Sequence, residues 1–251
     1  MLANLIGAGL AVAMGMSAGS APATAWDEGP ARSQIIAGHV APRTPWVVQL
    51  EEIGGTIPAG YEDDCTGVQV DASWVLTARH CAEETDDIDV YQSNSVTHQG
   101  SAAHADRVVI APEGDIALVH LAAPAPLSGY ASLDLRSGPA TSGTGTIEGY
   151  GSRAHSTDAT RLYAATVRLR GHHDDAFGGA GQEATGVDGA ANDGDSGGPL
   201  LVQGRVRGIA SLTLGDTGDD PHAGSVYALL SQDAAWIRST TGVHGAGRSG
   251  R

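Results

Sequence analysis

Three stretches of the 251-residue chain carry side chains whose types and order suit acyl transfer. WVLTARHC (74–81) ends a β-like run on His80, GDIALVHL (114–121) opens an apolar run behind Asp115, and ANDGDSGGPLLV (191–202) sets Ser196 among small residues. A serine hydroxyl becomes a useful nucleophile when a base takes its proton and a buried carboxylate orients that base. N–H groups must also converge on the developing oxyanion. The chain order His, Asp, Ser is one of three that unrelated folds use for this purpose. Gly, Asp, Asn, Ser and Pro are also the ordinary turn residues, so GDSGGP alone reads equally well as a polar surface turn, and Asp115 as a turn residue.

The elements that must position these groups are short and β-like. PWVVQL, GVQVDASWVLTA, DRVVIA, DIALVHL, GTIEGYG, LYAATVRLR, PLLVQGRVRGIASL and SVYALL are separated by Gly, Pro, Asp and Asn clusters. That spacing, with 36 glycines and few aromatics, predicts an all-β sandwich or barrel. LLVQGRVRGIA predicts a hairpin turning at Gln203–Gly204. The proline-rich stretch 123–135 joins two halves. SQDAAWIRST (231–240) predicts a short terminal helix capped by Ser231, and the tail 242–251 predicts no ordered element.

Composition sets the compartment and excludes some partners. The formal net charge is −15, and all 14 basic residues are Arg. An acidic chain without a basic cluster is a poor nucleic-acid binder. Residues 1–25 are apolar and then small-residue-rich, ending in Ala23-Thr24-Ala25, which predicts a cleaved signal peptide, no membrane anchor in the mature chain, and a secreted, extracellular protein. The positive n-region of such a signal is missing, which predicts either a true start upstream, the favoured reading, or export that relies on the terminal amine alone. Export makes a Cys65–Cys81 disulfide the default reading, with free thiols as the weaker alternative. HHDD (172–175) reads as a solvated loop in preference to a metal site, EDD (62–64) and EETDD (83–87) as solvated acidic loops, and the histidines other than His80 as surface groups.

The four ordered motifs IIAG (35–38), TARHC (77–81), DIAL (115–118) and GDSGGP (194–199) resemble the chymotrypsin/trypsin family of serine endopeptidases, from about Ile35 to Thr240. The resemblance implies an all-β fold of two six-stranded antiparallel β-barrels packed face to face with a short C-terminal helix. The first barrel would span about 35–125 and the second about 130–240, after a signal peptide 1–25 and a propeptide 26–34. It implies His80, Asp115 and Ser196 as the catalytic triad, and the Gly194 and Ser196 amides as the oxyanion hole. It further implies Ser211 as support for Asp115, Cys65–Cys81 as the staple beside the histidine, and Asp195 as the group that receives a new Ile35 ammonium after activation cleavage. No cofactor or metal is implied. As partners it implies protein or peptide substrates and an activating protease, and it predicts a monomer.

Several residues depart from the family pattern. Arg79 replaces a small residue before the histidine, Gln34 replaces the basic residue before Ile35, and two pocket disulfides are missing. Ala190 stands where trypsin-like members carry a pocket aspartate, with Thr213 and Ser225 at wall positions. That set predicts cleavage after small or medium apolar residues, against an alternative in which Asp188 directs cleavage after Arg or Lys. Two rivals from other classes are a non-catalytic binding protein on the same fold and an α/β-hydrolase esterase built on Gly194-x-Ser196-x-Gly198. The second requires a helix directly after the serine, where PLLVQGRVRGIA predicts strands.

Overall fold

The computed structural model describes residues 35–58, 63–152, 157–215 and 218–245. The expected signal peptide and propeptide, and residues 246–251 of the tail, lie outside them. The first half builds β2 (Val47–Ile53), β3 (Asp63–Gln69), β4 (Trp74–Thr77), β5 (Asp87–Tyr91), β6 (Ala103–Ile110) and β7 (Ala117–Leu121). These six pair antiparallel in the closed order β2-β3-β4-β7-β6-β5. Alternation sets which residues enter the barrel: in β5, Ile88 and Val90 are buried between Asp87, Asp89 and Tyr91. Val48, Leu50, Val68, Leu76 and Leu118 have no solvent exposure.

The second half builds β8 (Thr144–Gly149), β9 (Tyr163–Asp174), β10 (Ala180–Gly186), β11 (Pro199–Val202), β12 (Arg205–Leu214) and β13 (Gly224–Leu229). Strand β8 pairs with β9 on one side and β11 on the other, so the ring β8-β9-β10-β13-β12-β11 also closes. The two-residue β1 (His39–Val40) adds to β9. The molecule is therefore the expected pair of six-stranded antiparallel barrels. Val206, Ile209, Ala228, Leu230 and Ile237 pack into the same apolar cluster as the first barrel's Leu76 and Leu118. The 123–135 stretch runs between the halves, with Ala125 N–H bonded to Ala72 O at 2.7 Å. No helix among the described residues is long and apolar enough to cross a membrane.

The β11–β12 hairpin turns at Gln203 and Gly204, with φ of 52° and 71°, the left-handed pair that a two-residue type I′ turn requires. The helix α1 (Ala234–Thr241) begins later than expected. Asp233, not Ser231, occupies the N-cap, without a side-chain cap bond. Gln232 explains the shift: its Oε1 accepts the Ala180 N–H at 2.7 Å, so tertiary bonding holds 231–233 in a turn. Strands β5 and β10 were not foreseen, and HHDD is not a loop, since His172, His173 and Asp174 end β9. Of EDD, Asp63 and Asp64 are exposed yet open β3.

Candidate active site

His80 leaves β4 in a turn stapled to β3 by the Cys65–Cys81 disulfide. Asp115 precedes β7, which pairs with β4, so the two chains run together. Its carboxylate has no solvent exposure and is fully engaged. Oδ1 accepts the His80 backbone N–H at 3.0 Å. Oδ2 lies 2.8 Å from His80 Nδ1 and accepts the Ser211 hydroxyl at 2.7 Å. A buried carboxylate held this way fixes the imidazole with Nδ1 as donor and leaves Nε2 as a base.

A second buried carboxylate lies beneath the first. Asp175 Oδ2 accepts the Asp115 N–H at 3.2 Å, while its Oδ1 accepts the N–H groups of Phe177 (3.0 Å) and Gly179 (2.9 Å). Ala176 N–H bonds Ser211 Oγ at 3.0 Å, so the β9–β10 turn braces both partners of Asp115. The solvated-loop reading of HHDD is therefore wrong for Asp175, which is 5% exposed.

Ser196 sits in the loop before β11, held from across the barrel interface by Thr66. Thr66 N–H donates to Ser196 O at 2.8 Å, and Thr66 Oγ1 donates to Gly194 O at 2.8 Å. Gly197 has φ of 77°, and a Cβ there would fall 2.1 Å from Thr77 Oγ1. Gly194 has φ of 88°. Among the described residues, neither the Gly194 nor the Ser196 N–H has a protein acceptor. Ser196, Gly194 and His80 line one open cavity.

Asp195 turns inward, 4% exposed. Its Oδ1 accepts the Gly151 N–H at 2.8 Å and its Oδ2 the Asn192 N–H at 2.9 Å. Burial pushes the carboxyl up to about 7, the two amide bonds opposing this and the nearby Asp193 adding to it. Ile35 and Ile36 are buried, and Ile36 O accepts the Ala190 N–H at 3.0 Å. Ile35 has φ of 51°, a sterically costly conformation for a β-branched residue.

A second cavity at Ser196, of about 250 Å³, is lined by Ala191, Asn192, Leu212, Thr213 and Ser225 and also by the carboxylates Asp193 and Asp195, with Thr213 and Ser225 directly opposite on β12 and β13. Ala190 packs behind it against Ile36 and Ala223. Asp188 is exposed and bonds Thr166, Oδ1 to the N–H at 2.5 Å and Oδ2 to Oγ1 at 3.0 Å. Asn192 Nδ2 bonds Ser152 O at 3.1 Å, one tie holding the pocket loops where the family's disulfides are missing. Arg79 turns outward, paired with Glu83 and stacked 4.3 Å over Phe177. Cys65, His80 and Cys81 place ligand-type atoms within 4.8 Å of one another, but both sulfurs are committed to the disulfide and offer no thiolate to a metal.

The family model described as Trypsin matches residues 35–237. The chain belongs to the trypsin family. It is a chymotrypsin/trypsin-like serine endopeptidase, with proteins as substrates. It is similar to Trypsin-3 of Salmo salar, 27% identical over 208 residues covering 74% of this chain and 85% of the relative. It is also similar to an uncharacterized peptidase of Corynebacterium glutamicum (strain R), 26% identical over 186 residues covering 72% and 65%. Among solved structures, HL collagenase matches with a TM-score of 0.68 at 19% identity, covering 84% of this chain and all of that one. Neuropsin, a serine protease of mouse brain, matches with 0.64 at 24%, covering 78% and 94%. The strand β11 directly after Ser196 is at odds with the esterase rival.

Two residues that brace this candidate site, Thr66 and Asp175, escaped sequence reasoning. Thr66 carries no local signal. Asp175 carried one, an acidic residue before the small-residue turn AFGG, but its partner is 60 positions away.

Proposed function

We propose that the mature chain hydrolyses peptide bonds through Ser196, His80 and Asp115. His80 Nε2 takes the Ser196 hydroxyl proton as Oγ bonds to the scissile carbonyl carbon. Asp115 steadies the imidazolium, and the Gly194 and Ser196 N–H groups receive the oxyanion. His80 then protonates the departing amine, the C–N bond breaks and an acyl-enzyme remains. Water repeats the sequence on the acyl group and restores Ser196. The carrying observation is the buried Asp115 carboxylate, which bonds His80 twice and Ser211 once, with His80 lining the same cavity as Ser196.

The reading includes export, through the signal peptide 1–25, and activation at Gln34–Ile35. The family match begins at Ile35, and scission there would remove the constraint on its φ, a strain worth roughly 1–3 kcal/mol. The freed ammonium would give Asp195 the buried cation that it lacks. The acyl-side pocket suits Ala, Val or Leu. Thr213 and Ser225 narrow it, Asp188 is committed to Thr166, and the Asp195 carboxylate is turned to two amides. Asp193, which also lines the pocket, is exposed, so a guanidinium deep inside would lack a buried carboxylate partner, at heavy desolvation cost. A panel of fluorogenic peptides differing only before the scissile bond tests the preference. The highest kcat/KM should fall on Ala, Val or Leu, and a maximum at Arg or Lys would overturn it.

A further inference from the structure

The cavity that holds Ser196 and His80, about 580 Å³, is also lined by Glu52, Asp63, Asp64, Glu83, Glu84 and Asp193, and by no Lys or Arg among the described residues. It lies across the nucleophile from the acyl-side pocket and beside the imidazole that protonates the leaving amine. It is therefore where the chain downstream of the scissile bond must run.

The β2–β3 hairpin supplies most of this charge in an unfavourable way. Glu52 stands directly opposite Asp63 and Glu51 directly opposite Asp64, two successive like-charge cross-strand pairs. The rim's Arg79 is committed to Glu83. Glu52 is 2% exposed, and its Oε1 has no hydrogen-bond partner among the described residues. Burial, then Asp64, Asp63 and Glu51, push its carboxyl up to about 9. A buried acceptor left unmade beside a reactive centre calls for a donor from outside.

We propose that this cavity binds a lysine or arginine side chain of the substrate, one or two residues after the scissile bond, with Glu52 and Asp63 as its main acceptors. The inference rests on the peptidase reading above. It gives the enzyme two specificities of opposite kind: small apolar before the bond and basic after it. An incoming cation would offset the negative charge of Asp63 and draw Glu52 from its protonated toward its ionised form.

The test uses quenched fluorescent peptides identical up to the scissile bond and carrying Lys, Arg, Gln or Glu at either of the next two positions. With the processed wild-type enzyme, Lys or Arg should exceed Gln in kcat/KM by roughly tenfold, with Glu poorest, as expected for a partly desolvated charge pair. The advantage should shrink in 0.5 M NaCl, and Glu52→Gln with Asp63→Asn should bring the Lys-to-Gln ratio toward one. Asp193→Asn, at an exposed position, should lower the same ratio if the hairpin variant does not fold. Cleavage of all four peptides at the same bond and similar rates would overturn the inference and leave the peptidase reading standing. Cleavage of none would overturn both.

Discussion

Asp195→Asn should act in opposite directions on the uncleaved and processed chains. In the uncleaved chain the carboxyl titrates at about 7, against an ordinary 3.8, because it is buried without a cation. The folded state thus holds this proton more tightly than the unfolded state. The stability tied to it is fully present below pH ~4 and is lost as pH rises to about 7. Three units correspond to about 4 kcal/mol, of which about 3 kcal/mol falls between pH 5 and pH 9. Asn carries no charge at any pH and escapes that loss. It presents an NH₂ to one of the two amides that Asp195 now accepts, Gly151 or Asn192, at a pH-independent cost of about 1–3 kcal/mol. Urea unfolding at both pH values, in a Ser196→Ala background that keeps the chain intact, isolates the effect. The Asn variant should gain about 3 kcal/mol on its parent from pH 5 to pH 9. In the processed enzyme the same substitution should lower kcat/KM by about a hundredfold or more, since the Ile35 ammonium loses its partner and Gly194 its anchor. An unchanged stability difference at the two pH values would refute the reasoning.

Other substitutions probe the remaining parts. Removing the disulfide with Cys65→Ser and Cys81→Ser should cost about 3 kcal/mol in the chain-entropy account; an unchanged melting temperature without reductant would contradict it. Asp175→Ala leaves the N–H groups of Asp115, Phe177 and Gly179 without their acceptor. It should lower kcat roughly tenfold with little change in KM, and Asp175→Asn should restore part of the loss; a change in KM alone would argue against a bracing role. Thr213→Gly with Ser225→Gly should raise kcat/KM for a Phe peptide relative to an Ala peptide by about tenfold, and no change would show that these walls do not limit the pocket.

What was legible in the sequence was local. The runs around Val48, Leu76, Leu118 and Val226 announced themselves because apolar, β-branched residues favour a half-buried pleated surface. The motifs of the proposed triad could be read because His80, Asp115 and Ser196 each lie within a few residues of such a run. Strands β5 and β10 could not. DIDVY has charged alternate positions and AGQEATG has little β propensity, so their order comes from pairing on both sides. Ser231 looked like a cap because capping rules are local, and Gln232 overrode them through Ala180. Asp175 looked solvated because its role exists only once the β9–β10 turn folds against Asp115. Ala190 was expected at the pocket floor by counting back from Ser196; it packs against Ile36 and Ala223, next to Ala191, which lines the cavity.

The central claim is that Ser196 is a nucleophile activated by His80, and active-site labelling tests it most directly. The processed protein should react with a fluorophosphonate at a single residue, and peptide mass mapping should place the adduct on Ser196. His80→Ala, folded and processed alike, should label at least about a thousandfold more slowly, because nucleophile and base act as a unit. An adduct on a different serine, or undiminished labelling of the His80→Ala protein, would contradict the account.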